Sequence, residues 1–147
     1  MTAGQGSAAE MPGDLARALA AAEARCLRAG AQLTELRRQV LALVLEAEQP
    51  LGAYALLDKL KAKRPGAAPP TVYRALDFLL EQGLIHKVER LNAFVGCVEA
   101  GHDHGHAHGD HHHPHQFLIC GDCGATVEIS DEAVAHALAE AAARVGF

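Results

Sequence analysis

Cys120 and Cys123 flank two residues and are followed by Gly124, a spacing that lets two thiolates occupy one edge of a zinc tetrahedron across a tight turn. A redox Cys-x-x-Cys pair would open a helix, whereas Ala125 to Ile129 reads as a strand, so zinc is the expected chemistry. Just upstream, residues 101–115 contain eight histidines in fifteen positions and cannot build an apolar core of their own. That run suits a second regulatory ion, loose zinc buffering or a plain loop, and it does not distinguish His111, His112, His113 and His115 as ligands. The ten histidines accompany four cysteines, Cys26, Cys97, Cys120 and Cys123, in a chain whose first residues lack the layout of a secretory signal. Metal ligation is therefore favoured over a disulfide framework, and the expected location is the cytoplasm, where thiols stay reduced.

A second group of residues could hydrogen-bond nucleic acid. In the segment from Pro69 to Gly83, Val72, Ala75, Leu76, Leu79 and Leu80 recur at helical spacing. The opposite face offers Thr71, Tyr73 and Arg74, a hydroxyl, a phenol and a guanidinium able to reach phosphate or base edges in a major groove. Periodicity by itself describes a solvated helix face equally well. The net charge of −5 argues against nucleic acid as a total, but it is unevenly spread. Residues 31–90 carry nine Lys or Arg against seven Asp or Glu, while residues 91–147 carry only Arg144 against eight acids. The middle of the chain can approach phosphate, and the end suits cations.

These side chains need elements to position them. Residues 1–13, rich in Gly, Ala and Ser, read as a flexible arm. A first helix from Asp14 carries Leu15, Leu19, Ala22 and Cys26 on one face and stops at Gly30, with Cys26 read as a core residue. Thr34 caps a second helix with Leu36, Val40, Leu43, Val44 and Ala47 inward, broken by Gln49-Pro50-Leu51-Gly52. A third helix over 52–63 presents Leu56, Leu57 and Leu60, and the helix after Pro69-Pro70 is the fourth. Leu84 to Val88 and Asn92 to Val98 then read as two strands of a hairpin, which after such helices makes a winged helix-turn-helix. Beyond the His-rich segment, Gln116 to Cys120 and Ala125 to Ile129 pair as strands. A closing helix carries Val134, Ala137, Leu138, Ala141 and Val145 on one face.

The string Pro70-Thr71-Val72-Tyr73-Arg74-Ala75-Leu76-Asp77-Phe78-Leu79-Leu80-Glu81-Gln82-Gly83, with Ile85-His86-Lys87-Val88-Glu89 after it, resembles the recognition helix and wing of the Fur family of metalloregulators, in the wording of its zinc uptake (Zur) branch. The resemblance runs from about Ala20 to Phe147. It implies a winged helix joined to a small α/β dimerisation domain, with a metal at the hinge that sets the spacing of two DNA-reading heads. By resemblance, Tyr54, Tyr73 and Arg74 join Thr71 in contacting DNA. Asp58 matches a position used between dimers bound side by side on DNA, where Lys61 replaces the family's arginine partner. The sensing site implied is His86, Cys97, His113 and Glu128, with His115 as the alternative loop ligand. Taken singly, His86 reads as a wing surface residue, Cys97 as a small buried hydrophobe and Glu128 as a solvated strand charge. Cys120 and Cys123 match half of a structural zinc site whose other Cys-x-x-Cys lies further toward the C-terminus in the family. The sequence reaches Phe147 before such a pair, which leaves open a truncated form, a branch without the site, or completion by histidines.

The fold expected is thus α+β: an arm (1–13), a winged helix (14–98), a His-rich hinge loop (99–115) and a dimerisation domain (116–147). The function expected is a homodimeric, zinc-responsive repressor that binds operator DNA of zinc uptake genes, with zinc as its cofactor and no catalytic residues, small-molecule substrate or membrane span. An iron or peroxide sensor of the same fold is the nearest alternative, and Cys97 stands against it, because a thiolate favours zinc over oxygen-preferring metals. A zinc buffer without DNA binding would have no use for the Thr71, Tyr73 and Arg74 face. A thiol oxidoreductase would need a helix after Cys120.

Overall fold

Buried leucines at helical spacing assemble the first part of the chain. The computed structural model describes residues 12–97 and 116–147; the expectations for the arm up to residue 11, for His113 and His115, and for the rest of the hinge loop lie outside the described residues. The architecture is α+β, in the order α1 (Pro12–Arg28), α2 (Glu35–Glu46), α3 (Ala53–Lys61), α4 (Pro69–Glu81), β1 (Ile85–Val88), β2 (Ala93–Gly96), β3 (Gln116–Ile119), β4 (Thr126–Ile129) and α5 (Glu132–Arg144).

α1 begins at Pro12, two residues before the expected Asp14, with proline backbone suited to a first helical turn. It buries Leu19, Ala22 and Cys26 and is followed by Gly30 at φ 71°, a left-handed conformation natural to glycine. Burial raises the Cys26 thiol above its ordinary pKa and keeps it protonated, as suits a core residue. Thr34 caps α2, its side chain accepting from the Arg37 N–H at 3.4 Å. The buried face of α2 is Val40, Leu41 and Val44; Leu41 takes the place expected for Leu43, which is only partly buried against the core. Leu56, Leu57 and Leu60 of α3 and Val72, Ala75, Leu76 and Leu79 of α4 complete one core with Leu84, Ile85 and Phe94. Arg37 stacks over the Phe78 ring at 3.7 Å, tying α2 to α4.

β1 and β2 pair antiparallel, Ile85 opposite Gly96 and Val88 opposite Ala93, around a 3-10 turn at Glu89–Leu91. Asn92 closes that turn at φ 47°, a left-handed position its short amide side chain tolerates. Leu51, expected only to break α2 from α3, exchanges backbone hydrogen bonds of 3.1 and 2.8 Å with Phe94 and so adds a one-residue edge to the hairpin. That bridge fixes the hairpin against the start of α3. Gly96 sits against α2 so closely that a Cβ there would lie 2.5 Å from Leu45 Cδ2.

In residues 116–147, β3 and β4 pair antiparallel with Phe117 opposite Glu128 and Leu118 opposite Val127. Side chains alternate along a strand, so these two pairs occupy opposite faces of the hairpin. Asp131 caps α5, its carboxylate accepting from the N–H groups of Ala133 and Val134 at 2.8 and 3.1 Å. No hydrophobic residue of this stretch is buried, and Leu118, Val127, Leu138 and Val145 stand in solvent. No helix among the described residues is long and apolar enough to cross a membrane.

Candidate metal centre and nucleic-acid face

His86 is the second residue of β1, and Cys97 directly follows β2, its N–H donating to the Leu84 carbonyl at 3.1 Å. Hairpin pairing therefore carries the imidazole and the thiol to the same end of the first unit, residues 12–97, which share one core; residues 116–147 are the second. Glu128 comes from β4, across the 116–147 hairpin. One donor atom from each of the three lies within 4.8 Å of the others. Tetrahedral zinc, with bonds of about 2.0–2.1 Å to nitrogen or oxygen and about 2.3 Å to sulfur, has donor-to-donor edges of about 3.3–3.8 Å. The donors thus stand within about 1.5 Å of that spacing.

Burial decides what the cluster is suited to hold. The Glu128 side chain is 3% accessible and that of His86 19%, while Cys97 is buried. His86 Nε2 faces Glu128 Oε1 at 3.1 Å, and both atoms are shielded from solvent. A carboxylate this far from water is costly unless a positive partner compensates it, and a dication bound also by nitrogen and sulfur does so. The donor set of one imidazole, one thiolate and one carboxylate fits zinc with a fourth ligand to be added. Taken singly, each of these three reads as a bland surface or core residue; the resemblance grouped them, and the structure brings their donor atoms together.

The structure brings Cys120 and Cys123 together in the turn between β3 and β4. The Cys120 N–H donates to the Ala125 carbonyl at 2.8 Å, and Gly124, at φ 73°, donates to the Cys120 carbonyl at 3.0 Å. Both thiols are exposed. Backbone N–H groups of Cys123 and then Asp122, followed by the Cys123 side chain, lower the Cys120 thiol below its ordinary pKa and favour the thiolate that a metal needs. Among the described residues, no third histidine, cysteine or carboxylate joins this pair in a ligand cluster.

The candidate nucleic-acid residues lie on α3 and α4. Tyr54 near the start of α3 is 67% exposed, Tyr73 on α4 is 45% exposed, and Arg74 is exposed beside it. Thr71 is half-buried at the first turn of α4 rather than fully outward. Tyr54 and Tyr73 line one cleft of about 270 Å³ between α3, α4 and the β1–β2 hairpin. Asp77, Lys87 and Asn92 line it too, and sequence reasoning did not place Lys87 or Asn92 there. Asp58 and Lys61 are exposed on α3. Two further residues touch the metal region unannounced: Phe117, whose ring meets that of His86, and Gln49, whose amide donates to the Cys123 carbonyl at 3.4 Å. Strand alternation placed Phe117 on the Glu128 face, which is the signal that could have found it.

Residues 28–147 match the family model described as the Ferric uptake regulator family. The chain belongs to the Fur family. A relative, the zinc uptake regulation protein of Escherichia coli (strain K12), is 43% identical over 129 residues, which span 88% of this chain and 71% of that protein. The structure of a zinc uptake regulator complexed with zinc and DNA superposes with a TM-score of 0.76 at 41% identity, over 90% of this chain and 83% of the other. A second solved structure, holo XcZur, gives 0.70 at 41% identity, over 88% of this chain and 84% of that one. Its apo form gives 0.54, over 92% and 87%. This Fur-family chain is thus arranged more like the holo than the apo form of XcZur.

Proposed function

We propose that this protein is a zinc-responsive, DNA-binding transcriptional repressor that acts as a homodimer on genes of zinc uptake. The observation that carries the reading is the convergence of His86 and Cys97 from the first unit with Glu128 from the second. Zinc, when bound, supplies one dication at which nitrogen, sulfur and oxygen donors from both units meet. His86 and Cys97 hold the end of the β1–β2 hairpin to β4 through Glu128, and the hairpin in turn is anchored to α3 by the Leu51–Phe94 bridge. Orientation of Tyr54, Tyr73 and Arg74 relative to residues 116–147 therefore depends on the occupancy of the cluster. Because the arrangement that binds metal is also the one that meets operator DNA, each ligand raises affinity for the other.

His113, or His115, is the fourth ligand in this reading, and Cys120 with Cys123 forms part of a second, structural zinc site. The winged-helix unit reads DNA through Arg74, Tyr73, Thr71 and Tyr54, and the exposed apolar faces of 116–147 form the dimer contact. No step calls for a catalytic residue, and a regulator of chromosomal genes works in the cytoplasm. Cys97 in the cluster disfavours an iron or peroxide sensor, and the exposed Arg74 and Tyr73 disfavour a zinc buffer that ignores DNA.

A gel-shift titration against an operator fragment, with zinc set by a metal buffer, tests the reading. Specific binding is expected with zinc and lost on chelation, since the acidic C-terminal half gives the metal-free dimer little electrostatic hold on phosphate. Full operator affinity after thorough metal removal would falsify it.

A further inference from the structure

The imidazole of His86 does not stand alone against Glu128. The ring of Phe117 approaches it with centroids 6.4 Å apart and planes at 61°, an edge-to-face arrangement within the range that aromatic pairs prefer. Phe117 lies on β3 directly opposite Glu128 on β4, so both side chains leave the same face of that hairpin toward the same histidine. Its strand neighbour Leu118 points the other way and is 59% exposed. From the two cross-strand partners, His86 thus receives a carboxylate at Nε2 and an aromatic ring against its own. A tilted ring contact restricts rotation about the histidine's terminal torsion, which is otherwise broad. The carboxylate that the imidazole faces is almost inaccessible.

We propose that Phe117 is a positioning residue for the sensing site: it holds the His86 ring with Nε2 aimed at the metal. The inference rests on the reading of His86 as a metal ligand. Phe117 itself offers no donor atom, so its effect runs through the orientation of His86. Outer partners of a ligating histidine commonly set metal affinity by about 10–100-fold, and here the partner is a ring rather than a hydrogen-bond acceptor. A polar or small residue at 117 would leave the same three donors in place but free the imidazole to turn.

The test compares the full chain with Phe117→Ala, Phe117→Leu, Phe117→Tyr and His86→Ala by chelator competition for zinc, together with the visible absorption of the cobalt-substituted proteins and the ring-proton shifts of His86 in metal-free protein. The expected result is a loss of about 10-fold or more in zinc affinity for the Ala and Leu variants, with Tyr within about 3-fold of wild type because it keeps the ring. The thiolate-to-cobalt band should weaken in parallel, and the His86 shifts should move in Ala and Leu even without metal. Leucine fills most of the volume, so wild-type affinity in Phe117→Leu would reduce Phe117 to packing and overturn the proposal. Should Phe117→Ala fail to fold, the Leu and Tyr variants decide alone. Unchanged zinc affinity in His86→Ala removes the sensing-site reading and this one with it. Loss in His86→Ala beside wild-type affinity in Phe117→Ala overturns only the role of Phe117.

Discussion

Leu56, Leu60 and Leu79 in the first unit are sealed from water, whereas Leu118, Val127 and Leu138 in residues 116–147 are each more than half exposed. Four helices there close around one core and a hairpin completes it, so that unit has within itself the burial a small domain needs. The second stretch has equally regular elements, with a capped helix and a paired hairpin, but none of its hydrophobic residues is buried. Apolar surface left in this state marks a contact face. One unit is folded by its own interior; the other is organised by what it touches: the first unit at the Glu128 face, and a second copy of the chain at the remaining faces in our reading.

The sharpest way to break this contrast is at the cluster that joins the units. Cys97→Ser is expected to weaken zinc binding by more than about 100-fold and to abolish zinc-dependent operator binding, because a neutral hydroxyl replaces a thiolate ligand. Metal-free melting should barely change. If the variant instead keeps wild-type zinc affinity and melts lower without metal, Cys97 is a packed core thiol, and the argument for zinc over iron goes with it.

A pair of substitutions sharpens the difference in burial itself. Leu56→Ala should cost about 2–5 kcal/mol of folding stability, read by urea denaturation, through lost transfer energy and a cavity. Leu138→Glu should leave the melting of the first unit nearly unaltered while raising the dimer dissociation constant by about 30-fold or more, the signature of a contact residue worth ~2 kcal/mol. Sedimentation at several concentrations checks it. A Leu138→Glu protein that dimerises like wild type would place the contact face elsewhere. At the surface of the first unit, Arg74→Ala should weaken specific operator binding by at least ~1 kcal/mol, as for one lost base contact, with zinc stoichiometry unchanged.

The sequence made the helices of the first unit legible because Leu56, Leu57 and Leu60, or Val72, Ala75 and Leu76, repeat with the period of a helix and end at Gly or Pro. It could not show the Leu51–Phe94 bridge, since a single paired residue has no period. Leu41 and Leu43 are both leucines on α2, and which of them faces inward follows from helix rotation against α3 and α4, a tertiary matter. The apolar stripe of α5 was equally readable, but its exposure was not, because a stripe says that a face wants cover and not where the cover comes from. For the candidate site, Cys120 and Cys123 announce themselves by spacing. His86, Cys97 and Glu128 have no local signature, and only the folding of two hairpins against each other brings them together.

The distance along the chain between those donors has a consequence for turnover. Linking Cys97 to Glu128 closes a loop of about thirty residues, and a cross-link over such a span removes roughly 3–4 kcal/mol of conformational freedom from the unfolded chain. A metal bound there, as proposed, would be a clasp on the polymer as well as a signal. Loaded molecules would then open their second hairpin more rarely than empty ones, and a protease that needs an open chain would meet mostly the empty form. The lifetime of the regulator, and not only its grip on DNA, would then rise and fall with available zinc.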